Sequence, residues 1–379
     1  MTAVTAAATP AATSDEDREA LRSSVRAFLE ARSPEREVRR LMEDDLGYDP
    51  DVLTQMADQL GLLGLAVPEE HGGSGFTYVE LCLVLEEMGR ALLGGPFFGT
   101  AVLATVALLE SGDAAAQAEH LPEICAGRKL ATLAVDMPLI GSRPACSVRA
   151  RETADGWVLD GTAPHVIDGD QAELLVVVAQ TGDGIAFFTV DAAAAGLERH
   201  RLPAPDLTRR YASVTFTGVE AGLLGEPAQA DEVLERVLAV CAVALAAEQV
   251  GGCEQAMRMA VDYSKVRHQF GRPIGSFQAV KHLCADMLMR VESGKAAARH
   301  AARAAADRSP DMLVLASLAK AYCSDAYVAV TEANVQVHGG IGYTWEHASG
   351  LHLKRAKTSE LVLGDARYHR DKLGSLLGV

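Results

Sequence analysis

Apolar positions change their period twice along the chain. From Ser14 to about Arg128 they recur at three- and four-residue spacing, through Leu21, Val25 and Phe28 and again from Val79 to Leu93, the rhythm of helices with one buried face. Ser14 followed by Asp15, Glu16 and Asp17 predicts a helix start, with a capping hydroxyl and acids against the positive end of the helix dipole. Breakers at 47–50, 68–75 and 94–96 divide this region into several helices. From Lys129 the pattern shifts to short β-branched or alternating runs at 130–135, 147–151, 157–160, 174–179, 185–190 and 211–216. Gly, Asp or Pro bounds each run, which predicts antiparallel strands. Helical period returns from Ala228, over 233–264, 276–308, 310–339 and 358–377. The pattern therefore predicts an α+β multidomain chain: an all-α domain over 1–128, a middle antiparallel β-barrel or sandwich over 129–227, and a C-terminal helical bundle over 228–379.

Composition narrows the partners. The chain has 379 residues, 49% of them hydrophobic, which suits a folded core of two or three domains. A formal charge of −16 argues against nucleic acid, whose phosphates need a basic face. Seven cysteines stand singly, with neither a CxxC pair nor metal-ligand spacing, and this reads as a reduced, cytoplasmic protein. The opening MTAVTAAATPAAT lacks a basic start and an apolar core, so a frayed tail is expected rather than a leader. The apolar run 237–247 is too short for a bilayer, and no membrane span is expected.

Chemistry concentrates at the corner between the first two C-terminal helices. Arg267, His268, Gln269 and Phe270 precede a turn at Gly271, Arg272 and Pro273, with a second helix from about Ser276. A helix corner held by salt bridges is one reading. The other is an anion grip, because a planar guanidinium beside an amide and an aromatic ring suits the pyrophosphate of a dinucleotide.

The run RHQFGRPIGSFQAVKHLCADM (267–287) resembles a signature of the acyl-CoA dehydrogenases, and QVHGGIGYTWE (336–346) resembles their later glycine signature. VPEEHGGSGFTYVE (67–80) is similar to a family loop leading into a helix that lines the acyl pocket. With the α, β, α order, the resemblance spans nearly the whole chain. It implies FAD as cofactor, an acyl-CoA thioester as substrate, electron-transfer flavoprotein or a similar acceptor, and a hetero- or homotetramer. It further implies that Arg267, Gln269, Phe270, Gln336, Gly339 and Gly340 reach across a subunit interface to the ADP half of a neighbour's FAD.

Other family positions are changed. The reaction needs a carboxylate to remove the α-proton while flavin N5 takes the β-hydride. The commonest family slot for that glutamate, just before a glycine near the C-terminus, is Leu363 here, and the alternative slot, 26 residues before the signature arginine, is Cys241. The loop whose hydroxyl residue donates to flavin N5 reads His165, Val166, Ile167, Asp168, Gly169, with no donor at Ile167. The earlier flavin loop is worn to DMPLIGSRP (136–144), keeping Gly141 and Ser142.

One acid remains as a candidate base. Glu248 interrupts the apolar run VLAVCAVALAAEQVGG two turns beyond Cys241, and an unpaired carboxylate there would have a raised pKa. The alternative is a carboxylate satisfied by a neighbouring arginine. Asp365 is a second candidate, and also reads as a helix cap. The pattern of losses and retentions resembles the shorter, degenerate subunit of bacterial heterotetrameric members, some of which act on steroid side-chain thioesters. A self-sufficient homotetramer using Glu248, a purely structural partner subunit and a flavin monooxygenase on the same fold are the competing readings.

Overall fold

The computed structural model describes residues 13–136 and 146–379. The expected frayed tail and the loop carrying Gly141 and Ser142 lie outside those residues.

Helix α1 (Asp15–Arg32) starts where its sequence directs, in a capping box: Asp17 N–H donates to Ser14 Oγ at 3.1 Å and the Asp17 carboxylate accepts in return. Helices α2 (Glu35–Glu43) and α3 (Pro50–Asp58) follow, the latter capped by Asp49. Thr77 and Glu80 form a second capping box at the start of α4 (Tyr78–Ala91). A π-helical segment, Phe98–Ala104, runs into α5 (Thr105–Glu110), and α6 (Ala114–Cys125) completes the helical part.

Strands β1 (Ala131–Ala134), β2 (Val148–Thr153), β3 (Gly156–Ile167), β4 (Leu174–Gln180), β5 (Ile185–Asp191), β6 (Leu197–Arg201) and β7 (Tyr211–Leu224) form one seven-stranded sheet. The circuit β4, β2, β3, β7, β5 returns to β4, so the sheet closes on itself. It is not wholly antiparallel, because β1 runs parallel to β4 with Ala131 opposite Leu174. Two bulges bend β3 against β7, which lets β3 run on to Ile167, well past the apolar run at 157–160. Strand β6 escaped the sequence reading because LERHR is a half-exposed edge with little apolar signal.

The C-terminal part is built on α7 (Ala230–Val266), which packs against α4, α8 (Gln278–Ala306) and α9 (Met312–His338). Glycines allow the closest approach: a Cβ on Gly251 would lie 1.7 Å from the Glu86 carbonyl, and one on Gly89 would lie 1.9 Å from the Glu248 carbonyl. Helices α10 (Ser349–Leu361) and α11 (Ala366–Leu377) replace the single helix expected over 358–377. The break falls at Leu363 and Gly364, both at positive φ (61° and 96°), and Asp365 caps α11 by accepting the Tyr368 N–H at 2.7 Å. By length and composition the segment Met312–Tyr343 would cross a membrane. It instead packs against α7, α8, α10 and α11, with the fully buried Lys320 on its inner face.

Candidate functional site

Between α7 and α8 the chain makes a two-residue hairpin, β8 (His268–Gln269) against β9 (Arg272–Pro273). Its central residues, Phe270 and Gly271, both have positive φ (52° and 77°), as a type I′ turn requires. Glycine adopts that conformation freely, whereas an aromatic residue loses about 1 kcal/mol in it. Phe270 gains little inside the chain in return: it is 91% exposed and touches Phe277 edge-on at 6.1 Å. Arg272 lies over the other ring, 4.0 Å from the Phe277 centroid. The side chains of Arg267 and Gln269 are exposed and make no hydrogen bond or ion pair among the described residues. An ion pair at this corner, Lys265 with Asp262 at 3.1 Å, lies within the last turn of α7 and leaves Arg267 and Gln269 out.

The glycine signature follows the end of α9. Gln336 is exposed and its amide is likewise unpaired among the described residues. Gly339 has φ 63°, and a Cβ on either Gly339 or Gly340 would meet nothing within 4 Å, so the backbone there is open to an approaching group. Tyr343 and Trp345 stand out at 80% and 82% exposure, while Arg39 of α2 clamps the carbonyls of Trp345 and Glu346 at 2.6 and 3.2 Å.

At the positions the family resemblance assigns to the flavin N5 donor and the base, the side chains offer no donor or carboxylate. Ile167 is 1% exposed, and its carbonyl accepts the Thr132 hydroxyl at 2.7 Å. Beside it, burial pushes the Asp168 carboxyl up to about 7 against the opposing pull of Arg209, and Asp168 Oδ2 accepts the Gly99 N–H at 3.3 Å. Leu363 and Cys241 are both buried, the latter completely. Leu363, Leu238, Asp136, His369 and Lys372 line a small cavity of about 20 Å³, room for about one water. The groove that continues outward from it carries Asp231, Glu235 and Asp371, and its Lys372 is already paired with Glu235 at 3.2 Å.

Glu248 is not a lone carboxylate. Arg209 Nη2 reaches Oε2 at 2.5 Å and Arg355 Nη1 reaches Oε1 at 2.7 Å; Arg355 Nε also holds Asp206 at 2.8 Å. All four residues are at most 7% exposed, and two cations meet two anions. Burial alone would raise the Glu248 pKa, but the charges and hydrogen bonds of Arg209 and Arg355 outweigh it and hold the carboxyl below the ordinary glutamate range. That overturns the expectation of a raised pKa and favours the arginine-paired reading. Arg355 also donates to the Thr208 carbonyl (3.1 Å) and, across the junction, to the Leu93 carbonyl after α4 (3.3 Å). The quartet thus pins the β sheet, α7, α10 and the N-terminal helices together.

The chain belongs to the acyl-CoA dehydrogenase family, whose members are FAD-dependent oxidoreductases: residues 15–128 match the model of the acyl-CoA dehydrogenase N-terminal domain and residues 232–377 that of the C-terminal domain. It is 36% identical over 352 residues to acyl-CoA dehydrogenase IpdE2 of Mycolicibacterium smegmatis, covering 93% of this chain and 96% of that one. Among solved structures it superposes on a Tcur3481–Tcur3483 steroid ACAD variant with a TM-score of 0.88 at 31% identity, over 96% of this chain and 98% of the other. The ChsE4–ChsE5 complex of Mycobacterium tuberculosis gives a TM-score of 0.88 at 28% identity, with 97% and 98% covered.

Tested against FAD, the residues divide. The unpaired Arg267, Gln269 and Gln336 and the open backbone at Gly339 and Gly340 fit the phosphates and ribose of an ADP moiety. Ile167 offers an isoalloxazine no side-chain donor.

Proposed function

We propose that this chain is one subunit of a heteromeric FAD-dependent acyl-CoA dehydrogenase: it completes an FAD site at a subunit interface, and a partner chain of the same fold holds the flavin ring and supplies the base. The observation that carries this reading is the division just described. Arg267, Gln269 and Gln336, which this reading assigns to the phosphates and ribose, have no partner among the described residues, whereas Ile167 and Leu363 stand where the family resemblance puts the donor and the base.

When bound, FAD supplies a hydride acceptor for the β-carbon of the thioester. In this chain Arg267 would neutralise pyrophosphate charge, Gln269 and Gln336 would orient the ribose and phosphate oxygens, and Phe270 and Trp345 would cover apolar surface at the subunit boundary. Glu248 is assigned to the junction of the domains rather than to proton transfer, since each of its oxygens already faces a guanidinium. The acidic groove leading to Leu363 supports the same view, because the phosphates of coenzyme A would meet Asp231, Glu235 and Asp371 there. The substrate in the complex is a fatty-acyl or steroid side-chain thioester, in keeping with the steroid-acting structural relative, and electrons leave to electron-transfer flavoprotein or a similar acceptor.

The test is anaerobic addition of acyl-CoA to the chain supplied with FAD, alone and co-expressed with a homologue that keeps the glutamate. Flavin bleaching only in the co-expressed complex supports the reading, and bleaching by the chain alone refutes it. If Arg267→Ala in the complex leaves both bleaching and flavin content unchanged, the chain is a structural partner instead.

A further inference from the structure

The hairpin of Arg267 and the loop of Gly339 and Gly340 sit at the ends of two different helices, and no hydrogen bond or ion pair joins them among the described residues. Gripping one ligand from two independent loops is entropically expensive, because each loop must be ordered as it binds. A stack of three rings bridges the gap. Tyr263 stands on the last turn of α7, where its carbonyl accepts the Arg267 N–H at 2.9 Å. His338, the last residue of α9, lies 4.3 Å from the Tyr263 ring with an interplanar angle of 27°. His347, beyond the glycine loop, also lies 4.2 Å from His338, its ring tilted by 45°.

Both imidazoles are anchored by hydrogen bonds near the glycine loop. His338 Nδ1–H donates to the Asn334 carbonyl at 2.9 Å, which orients the imidazole within the helix end. His347 Nδ1 accepts the Ser349 N–H at 3.2 Å, and the Ser349 hydroxyl donates to the Gly342 carbonyl at 3.0 Å, tying the ring to the inside of the loop. Arg39 holds the outside of the same loop through Trp345 and Glu346. Burial holds both imidazoles below their ordinary pKa, so two neutral rings face each other. The charged groups near the stack, Glu35 and Arg39, are paired with each other at 2.8 Å.

We infer that the Tyr263–His338–His347 stack fastens the hairpin and the glycine loop into one rigid surface, and that His338 is a positioning residue for whatever that surface binds. On the reading proposed above, which this inference deepens, the bound group is the ADP moiety of FAD at a subunit interface. His338 touches no ligand itself: it fixes the spacing between Arg267 and Gly339.

The test follows hydrogen exchange in the full chain at two pairs of bonded amides, Arg267 and Ile274 in the hairpin and Gly339 and Thr344 in the glycine loop. His338→Ala should speed exchange at both pairs by about tenfold, the size of effect expected from losing two ring contacts. His338→Phe, which keeps a ring in the stack and loses only the Asn334 bond, should stay within about twofold of wild type. Faster exchange at Gly339 and Thr344 alone, with the hairpin unchanged, overturns the inference. Should His338→Ala fail to fold, Tyr263→Leu and His347→Ala must each loosen both pairs, and an effect confined to the pair next to the substituted residue overturns it equally. FAD retention in the co-expressed complex separates this inference from the reading it rests on. Flavin affinity that falls in His338→Ala and recovers in His338→Phe supports both. If neither His338→Ala nor Arg267→Ala alters flavin affinity while the exchange result holds, the flavin reading falls and the mechanical coupling stands.

Discussion

Two arginine-rich regions of this molecule use the same side chains to opposite ends. In the quartet of Glu248, Arg209, Arg355 and Asp206, every charge is buried and paired within the chain. At the hairpin, Arg267, Gln269 and Phe270 are exposed, and the side chains of Arg267 and Gln269 make no hydrogen bond or ion pair among the described residues. A buried guanidinium whose charge is paired is a structural tie, and taking it apart leaves an uncompensated charge in a dry interior. An unsaturated one on the surface contributes little to the fold and remains free for a phosphate. Residue type alone does not tell the two apart. Burial and partners do.

The comparison predicts effects on different observables. The largest belongs to the quartet: Glu248→Ala strands Arg209, leaves Arg355 only Asp206 as a carboxylate partner, and should lower stability by about 3–5 kcal/mol, read as a drop in the denaturant midpoint. Glu248→Gln should lower stability less while leaving turnover of the assembled complex largely intact. A variant of normal stability that has lost bleaching would instead make Glu248 the base, since removing a general base typically slows a reaction by about 10² to 10⁴.

Gly251→Ala tests the same junction by volume rather than charge. Its Cβ would run into the Glu86 carbonyl at 1.7 Å, so α4 and α7 must separate, with an expected loss of about 1–3 kcal/mol in the same denaturation experiment. An unchanged midpoint would mean the two helices part easily and that the junction does not depend on their close approach.

At the hairpin the expected order reverses. Arg267→Ala should weaken FAD retention in the complex by about ten- to a hundredfold, the value of one charge-assisted contact. Its midpoint should stay within about 0.5 kcal/mol of wild type, as for other exposed positions.

Acid titration sharpens the interior side. Burial holds His352 and His369 neutral, with folded pKa values of about 3 against an ordinary value of 6.5. For a base whose folded pKa is lowered, the unfolded chain binds the proton first, so stability is full above about 6.5 and is lost as pH falls from there toward about 3. Each histidine adds at most about 1.4 kcal/mol per pH unit to that slope. The stability-versus-pH curve of His352→Asn should be flatter across the window, and an unchanged slope would remove His352 from the account.

Much of the fold was legible because it rests on local signals. Ser14 and Thr77 cap helices, the breakers fall between elements, and the alternating runs became strands. The misses have physical causes. Strand β6 is a polar edge, and the break before α11 rests on Leu363 at positive φ, which no composition rule anticipates. The hairpin could be read because its residues are contiguous. Its type I′ geometry and the exposure of Phe270 needed the structure. The quartet could not be read, since Glu248 meets Arg209 and Arg355 from 39 and 107 residues away. The arginine doublet at 209–210, set between a loop and an apolar strand, was the one hint. The stack on His338 was hidden for the same reason: Tyr263 and His338 come together only when α7 packs on α9.

The central claim is that this chain completes a flavin site without holding a flavin ring of its own, and flavin content per chain tests it most directly. Purified alone, the chain should carry far less than one FAD per polypeptide. Co-purified with the homologue that keeps the donor and the glutamate, the complex should be yellow, with fewer flavins than chains. A homo-oligomer of this chain with one tightly bound FAD per polypeptide would contradict the account.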